Sequence, residues 1–218
     1  MEKLTLRQIF DTKITLRSDK WDPYFDVYET WLSKYRDQKP VFMEVGIQGG
    51  GSMQMWKEYF GEGATLYGVD IDERVKQLPL DGINVIVGDQ SNPHFWNKVI
   101  KDLPDLDAFV DDGGHTMMQQ INTLLFIWPK IKEGGVYICE DTHTSYWQQW
   151  GGGFGSPDNF INYTKNLIDM INVEHIENAQ PPKTMLEVFG DIGSIHYYNS
   201  QIVLTKGKPK FTRSIVNG

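Results

Sequence analysis

The chain has 218 residues, 40% hydrophobic and 13% aromatic, which suffices for one domain with a substantial core. Its net charge of -8 argues against a nucleic-acid binder, which needs a basic face for phosphates, and fits an enzyme or a cation site. No apolar run approaches the ~18 to 20 residues of a membrane span, no signal-peptide core opens the chain, and the single cysteine, Cys139, permits no internal disulfide, so a cytoplasmic protein is expected.

The order of elements predicts a helical arm over residues 1–40 packed on one globular body over 41–218. Leu4 to Leu16 reads as a small helix or arm. Ser18-Asp19-Lys20-Trp21 then leads to Tyr24, Phe25, Val27, Tyr28, Trp31, Leu32 and Tyr35, whose spacings of three and four form one helical stripe. That stripe predicts a helix laid on the body, with Tyr24, Tyr28 or Lys20 as candidates to border a ligand pocket. Val41 to Ile47 is a continuous apolar run suited to a parallel strand buried on both faces. A helix follows to Phe60, with Ser52 as its expected cap.

Further strands are expected at Thr65–Asp70, Ile83–Asp89, Leu106–Asp112 and Gly134–Asp141, and helices at Asn92–Ile100, Thr116–Trp128 and Pro157–Ile171. Gly193–Tyr198 and Gln201–Thr205 flank Asn199-Ser200 as a hairpin. Alternating strands and helices predict an α/β fold with a mostly parallel seven-stranded sheet, helices on both faces and an antiparallel C-terminal strand. Between Asp141 and Pro157, the stretch His143 to Gly155 carries two tryptophans, a tyrosine and four glycines, which predicts a mobile lid with aromatic faces.

The first strand runs into Gly46-x-x-Gly49-Gly50-Gly51. No lysine follows these glycines, so a GxxxxGK phosphate loop is excluded. The order also departs from the G-x-G-x-x-G dinucleotide fingerprint, although Asp70 lies about where that fold places its ribose-binding carboxylate. S-adenosylmethionine is the third reading. It is a cation without phosphate, and Glu44, Asp70 and Asp89 set three acidic groups at the carboxyl edge of the strands, where open α/β sheets bind ligands.

Asp111-Asp112-Gly113-Gly114-His115 closes the fourth strand and Glu140-Asp141 the fifth. Neighbouring strands lie ~4.8 Å apart, so these carboxylates face one another and repel unless protonated or bridged by a cation. A hard divalent ion such as Mg²⁺ suits oxygen ligands and keeps positions open for substrate. Asp112, Glu140 and Asp141 are therefore the expected metal ligands and His115 the general base, with His143 a weaker second candidate.

These residues resemble class I S-adenosylmethionine-dependent methyltransferases over most of the chain. Asp-Asp-Gly-Gly-His followed by Glu-Asp-x-His-Thr-Ser-Tyr-Trp narrows the resemblance to the metal-dependent macrolide-sugar O-methyltransferases of the mycinamicin type and the related cephalosporin hydroxylase-like family. The resemblance implies a Rossmann-like fold. It implies S-adenosyl-L-methionine held by Glu44, Gly46, Gln48, Gly49, Gly50, Ser52, Asp70, Asp89, Gln90 and Asp111, with Asp70 on the ribose hydroxyls and Asp89 on the adenine amine. It further implies Mg²⁺ on Asp112, Glu140 and Asp141, with His115 and Asp112 as catalytic residues. The expected activity is methylation of a hydroxyl on a sugar-like small molecule. A hydroxylase-like oxidoreductase, a catechol-type methyltransferase and a non-catalytic cofactor-binding module remain open. Members of that type carry a large N-terminal extension involved in assembly, and only about forty residues precede the first strand here. A homo-oligomer is left open.

Overall fold

A computed structural model describes residues 3–207 and 214–216 of the chain. Among them, seven strands form one sheet in the order β3-β2-β1-β4-β5-β7-β6. Five are parallel: β1 (Val41–Val45), β2 (Thr65–Asp70), β3 (Ile83–Val87), β4 (Leu106–Asp111) and β5 (Ile131–Cys139). The C-terminal hairpin supplies β6 (Ile192–Tyr197) and β7 (Ile202–Lys206), and β7 runs antiparallel to both β5 and β6. The expected sheet is thus found, with the reversal at β7. The strand order turns back between β1 and β4, and such a switch point leaves a crevice at the carboxyl ends of the strands.

The inner strands β1, β2, β4, β5 and β7 bury both faces. In β4, Ala108 and Val110 join one apolar cluster and Phe109 the other; in β5, Val136 and Ile138 are divided in the same way from Tyr137 and Cys139. The first cluster is covered by α1 (Leu6–Thr12), α2 (Tyr24–Leu32) and α3 (Gly51–Phe60). The second is covered by α4 (Pro93–Asp102), α5 (Met117–Ile127), α6 (Phe160–Asn166), α7 (Ile168–Ile171) and α8 (Lys183–Phe189). Because side chains alternate with a period of two, the residue that ends a strand inherits the face of the residue two before it. That rule decides which strand-end acids look toward α2.

The predicted stripe on α2 is real. Tyr24, Phe25, Val27, Tyr28 and Leu32 are buried in the same cluster as Trp56 and Phe60 of α3. At roughly 1.5–3 kcal/mol for each fully buried large side chain, this is a core contact rather than a surface one. The chain leading to α2 is also pinned. Gln54 Oε1 accepts from the amides of Thr15 (2.9 Å) and Leu16 (3.0 Å), and the Gly51 amide donates to the Arg17 carbonyl at 3.0 Å.

Two local expectations are corrected, and one helix is added. Ser52 does not cap α3: Gly50, at φ +88°, occupies the cap position, and the Ser52 hydroxyl instead donates to Glu44 Oε2 at 2.6 Å. The single helix expected over Pro157–Ile171 is two, the first capped by Asn159. α8 was not expected at all. Among the described residues, no helix is long and apolar enough to cross a membrane.

Candidate active site

A cleft of about 580 Å³ opens at the carboxyl edge, within the range of small-molecule sites. Its floor is the turn after β1. Gly46 sits at φ +98°, and a Cβ there would lie 1.9 Å from the Asp112 carbonyl oxygen, so glycine is what lets the two strand ends close up. Asp70, ending β2, fastens the next two residues. Its Oδ2 accepts from the amides of Ile47 (3.0 Å) and Gln48 (2.9 Å), and its Oδ1 from the Asp72 amide (2.9 Å). Gly46, Gln48, Gly49, Ser52, Asp70, Asp89 and Gln90 all line the cleft.

Three residues expected at the cofactor lie outside that wall. Glu44 is buried under the turn, held by Ser52 and by Lys20 Nζ at 3.2 Å, and burial raises its carboxyl above the usual range. Gly50 packs against Leu16, Leu78 and Leu80. Asp111 follows Phe109 onto the far face of the sheet, where its Oδ1 accepts from Gln90 Nε2 at 3.0 Å and its Oδ2 from the Tyr137 hydroxyl at 3.3 Å. Burial pushes Asp111 up to about 7. Gln90 reaches the cleft, but its amide is committed to Asp111, to Thr123 (3.0 Å) and to the Gly114 amide (2.8 Å), so it latches the Asp-Asp-Gly-Gly loop.

The acids of β4 and β5 separate into two sets. Asp112, His115 and Asp141 each offer a ligand atom, and these atoms lie within 4.8 Å of one another. Glu140 lines the same cleft but is not in that group. Continuing the face of Val136 and Ile138, it turns under α2, accepts from the Tyr28 hydroxyl and meets Lys20 Nζ at 3.1 Å. Asp141 escapes that alternation because its backbone is left-handed, at φ +53° and ψ +32°. His115 is left-handed as well, at φ +57°. With Gln48 at φ +46°, three non-glycine residues of this cleft lie in a sparsely populated region, which marks a constrained site.

Lys20 is the cation between the acids. Its ammonium lies 2.7 Å from Asp112 Oδ2, 3.1 Å from Glu140 Oε2 and 3.2 Å from Glu44 Oε1, and its side chain is only 1% exposed. Burial alone would pull the lysine down, but the charges of Asp112 and Glu140 outweigh it and hold the pKa above the usual range. A lysine so held is no base. Asp112 itself is raised by burial, against the pull of Lys20. Lys20 and Tyr24 line the cleft, as one reading of the arm expected, while Tyr28 stays buried behind them. What that reading lacked was the charge bridge and the role of Ser200, expected only as a turn residue.

His115 Nε2 lies 3.3 Å from Asp141 Oδ2, and Nδ1 is buried without a hydrogen-bond partner. His143 is differently placed. Its Nδ1 lies 2.6 Å from Ser200 Oγ, and its ring is stacked on Trp21 (4.8 Å, 11°) and edge-on to Trp147 (4.6 Å). His143 is not part of the cleft wall. The stretch expected as a lid forms two 3-10 turns, Thr142–Tyr146 and Gln148–Trp150. Its backbone folds back on itself through Gly153 N to Ser145 O (2.8 Å) and Gly152 N to Trp147 O (3.1 Å). Thr144 and Ser145 are buried at its base, while Trp147 and Phe154 are exposed.

No family model matches the chain. Among solved structures it superposes on the MycE methyltransferase from the mycinamycin biosynthetic pathway, in complex with Mg and SAH, with a TM-score of 0.82 and 25% identity, covering 96% of this chain and 56% of that one. The chain has the class I methyltransferase fold. By sequence it is related to the L-olivosyl-oleandolide 3-O-methyltransferase of Streptomyces antibioticus, 33% identical over 84% of this chain and 50% of the relative. It is also 29% identical to the 8-demethyl-8-alpha-L-rhamnosyl tetracenomycin-C 2'-O-methyltransferase of Streptomyces olivaceus, over 83% of this chain and 50% of the relative. The chain spans about half the length of these curated relatives. The resemblance carried by Asp-Asp-Gly-Gly-His and Glu-Asp therefore reflects relationship along most of the chain.

Proposed function

We propose that this chain is an S-adenosylmethionine-dependent, Mg²⁺-assisted O-methyltransferase acting on a hydroxyl of a sugar-bearing small molecule. The observation that carries the reading is a single cleft holding both the Asp70-fastened glycine turn and the convergent Asp112, His115 and Asp141. The relatives' activities on glycosylated compounds, and the Mg and SAH of the MycE structure, support the acceptor class and both cofactors.

The residues fit a divalent ion. Two carboxylates converge beside one imidazole, each offering an atom within 4.8 Å of the others. Asp112 and Asp141 are the oxygen donors a hard ion prefers, which leaves His115 free for proton transfer. Mg²⁺ held there would supply Lewis-acid polarisation of the acceptor hydroxyl.

The chain's own residues do the rest. Asp70 already accepts three backbone amides, and its position in the cleft wall suits the ribose hydroxyls. The acids at the strand ends attract the sulfonium. Holding the methyl carbon in line between sulfur and the acceptor oxygen is a proximity effect. The oxygen bonds to the methyl, the sulfur leaves as a thioether, and His115 takes the hydroxyl proton. Asp141 Oδ2, 3.3 Å from Nε2, then stabilises the imidazolium. Trp21, which lines the cleft and is 46% exposed, offers an aromatic face to a sugar ring.

The test is transfer of labelled methyl from S-adenosylmethionine to a panel of glycosides and catechols, with Mg²⁺ or with EDTA. Methylation of a glycoside that EDTA abolishes is expected. Binding of the donor with no transfer to any acceptor refutes the enzyme reading, and transfer untouched by EDTA refutes the metal.

A further inference from the structure

Asp141 is bent out of its strand, and the residue that grips it lies 117 positions earlier in the chain. The Tyr24 hydroxyl donates to Asp141 Oδ1 at 2.6 Å and accepts from the Asp141 amide at 3.4 Å, so one phenol holds both ends of a left-handed residue. The phenol is itself fixed. Its ring is buried, and its oxygen lies 2.9 Å from Ser200 Oγ, which is 2.6 Å from His143 Nδ1. Ser200 is also left-handed, at φ +66°, in the β6–β7 turn. A backbone in this region persists only where its surroundings over-determine it. Without the phenol, nothing in the β5 alternation directs the Asp141 carboxylate toward Asp112 and His115.

We infer that Tyr24 is a positioning residue for the Asp112–His115–Asp141 group, holding the Asp141 carboxylate where an ion can be shared with Asp112. The inference rests on the metal reading given under Proposed function and adds to it the arm as a determinant of ion affinity. Outer partners that orient a ligating carboxylate typically change metal affinity by about 10- to 100-fold when removed.

The test titrates Mg²⁺ alone into the full-length wild type, Tyr24→Phe and Tyr59→Phe by calorimetry, with the Mg²⁺-induced rise in Tm as a second readout. Tyr59 is a control for loosening of the arm, since its hydroxyl donates to Glu29 Oε2 at 2.8 Å on α2, away from the cleft. Tyr24→Phe is expected to weaken Mg²⁺ binding about tenfold or more and to shrink the Mg²⁺-induced Tm rise. Tyr59→Phe is expected to lower Tm while leaving Mg²⁺ affinity unchanged. Wild-type affinity in Tyr24→Phe overturns this inference alone, as does equal weakening in both variants. Absence of Mg²⁺ binding by the wild type overturns the metal reading together with it.

Discussion

Gly46→Ala tests whether the floor of the cleft depends on close approach of two backbones. Two costs add at this position. The φ of +98° lies beyond the small left-handed well near +50° to +70° that residues with a Cβ tolerate, and a left-handed residue costs about 1–2 kcal/mol. The new Cβ would also stand 1.9 Å from the Asp112 carbonyl oxygen, a backbone atom that cannot rotate away. Overpacking of this kind adds roughly 1–3 kcal/mol. For a chain of this size each kcal/mol lowers Tm by about 2–4 °C, so a fall of about 4–20 °C is expected. Gly134→Ala isolates the first cost, because Gly134 has φ +77° and no atom within 4 Å of the added Cβ. Its expected fall is about 2–8 °C from backbone strain alone. Calorimetric scans of both variants, paired with S-adenosylmethionine titrations, separate the effects. Only Gly46→Ala should weaken the cofactor, since only there does relief of the clash displace Asp112. Equal Tm losses, with cofactor affinity intact in both, would refute the claim that turn and acid loop are locked together.

The two histidines should part company in turnover. His115→Gln is expected to lose about 10²- to 10⁴-fold in kcat with little change in S-adenosylmethionine affinity, and His143→Gln less than tenfold; the reverse order would move the base to His143. Asp111 predicts a pH dependence of stability measured in EDTA. With its carboxyl raised from 3.8 to about 7 by burial, the folded state holds the proton longer than the unfolded one. Its contribution is fully present below pH 3.8, falls as pH rises toward 7, and stays lost above, up to about 4 kcal/mol in all. Asp111→Asn, with an amide that fits between Gln90 and Tyr137, should flatten that part of the stability curve and be more stable than wild type at pH 8. Parallel curves for the two proteins would show that Asp111 is not protonated in the fold.

What the sequence discloses here follows from the distance over which each feature is written. The strands, the glycine turn and the acids that end β2, β4 and β5 are each encoded within a few consecutive residues, and the structure has them all. α8 escaped because seven residues, preceded by Pro182 with no side-chain cap, carry too little periodicity to register. Ser52 misled because Gly50 reaches the left-handed cap conformation without a side chain. The acid cluster is the instructive case. Carboxylates on adjacent strand ends must hold a proton or meet a cation, and that much is local knowledge. Which cation answers which acid is not local. Period-two alternation sends Glu44, Asp112 and Glu140 toward α2 and Asp111 away from it, a division readable from the apolar residues before them. But the lysine that meets them comes from 24, 92 and 120 residues earlier. Lys20 answers Glu44, Asp112 and Glu140 together, and of the acids that line the cleft it is Asp112 and Asp141 that converge with His115. Glu140, expected as a third ligand, lines the cleft as well, but its carboxylate is engaged by Lys20 and by the Tyr28 hydroxyl, two partners more than a hundred residues earlier in the chain.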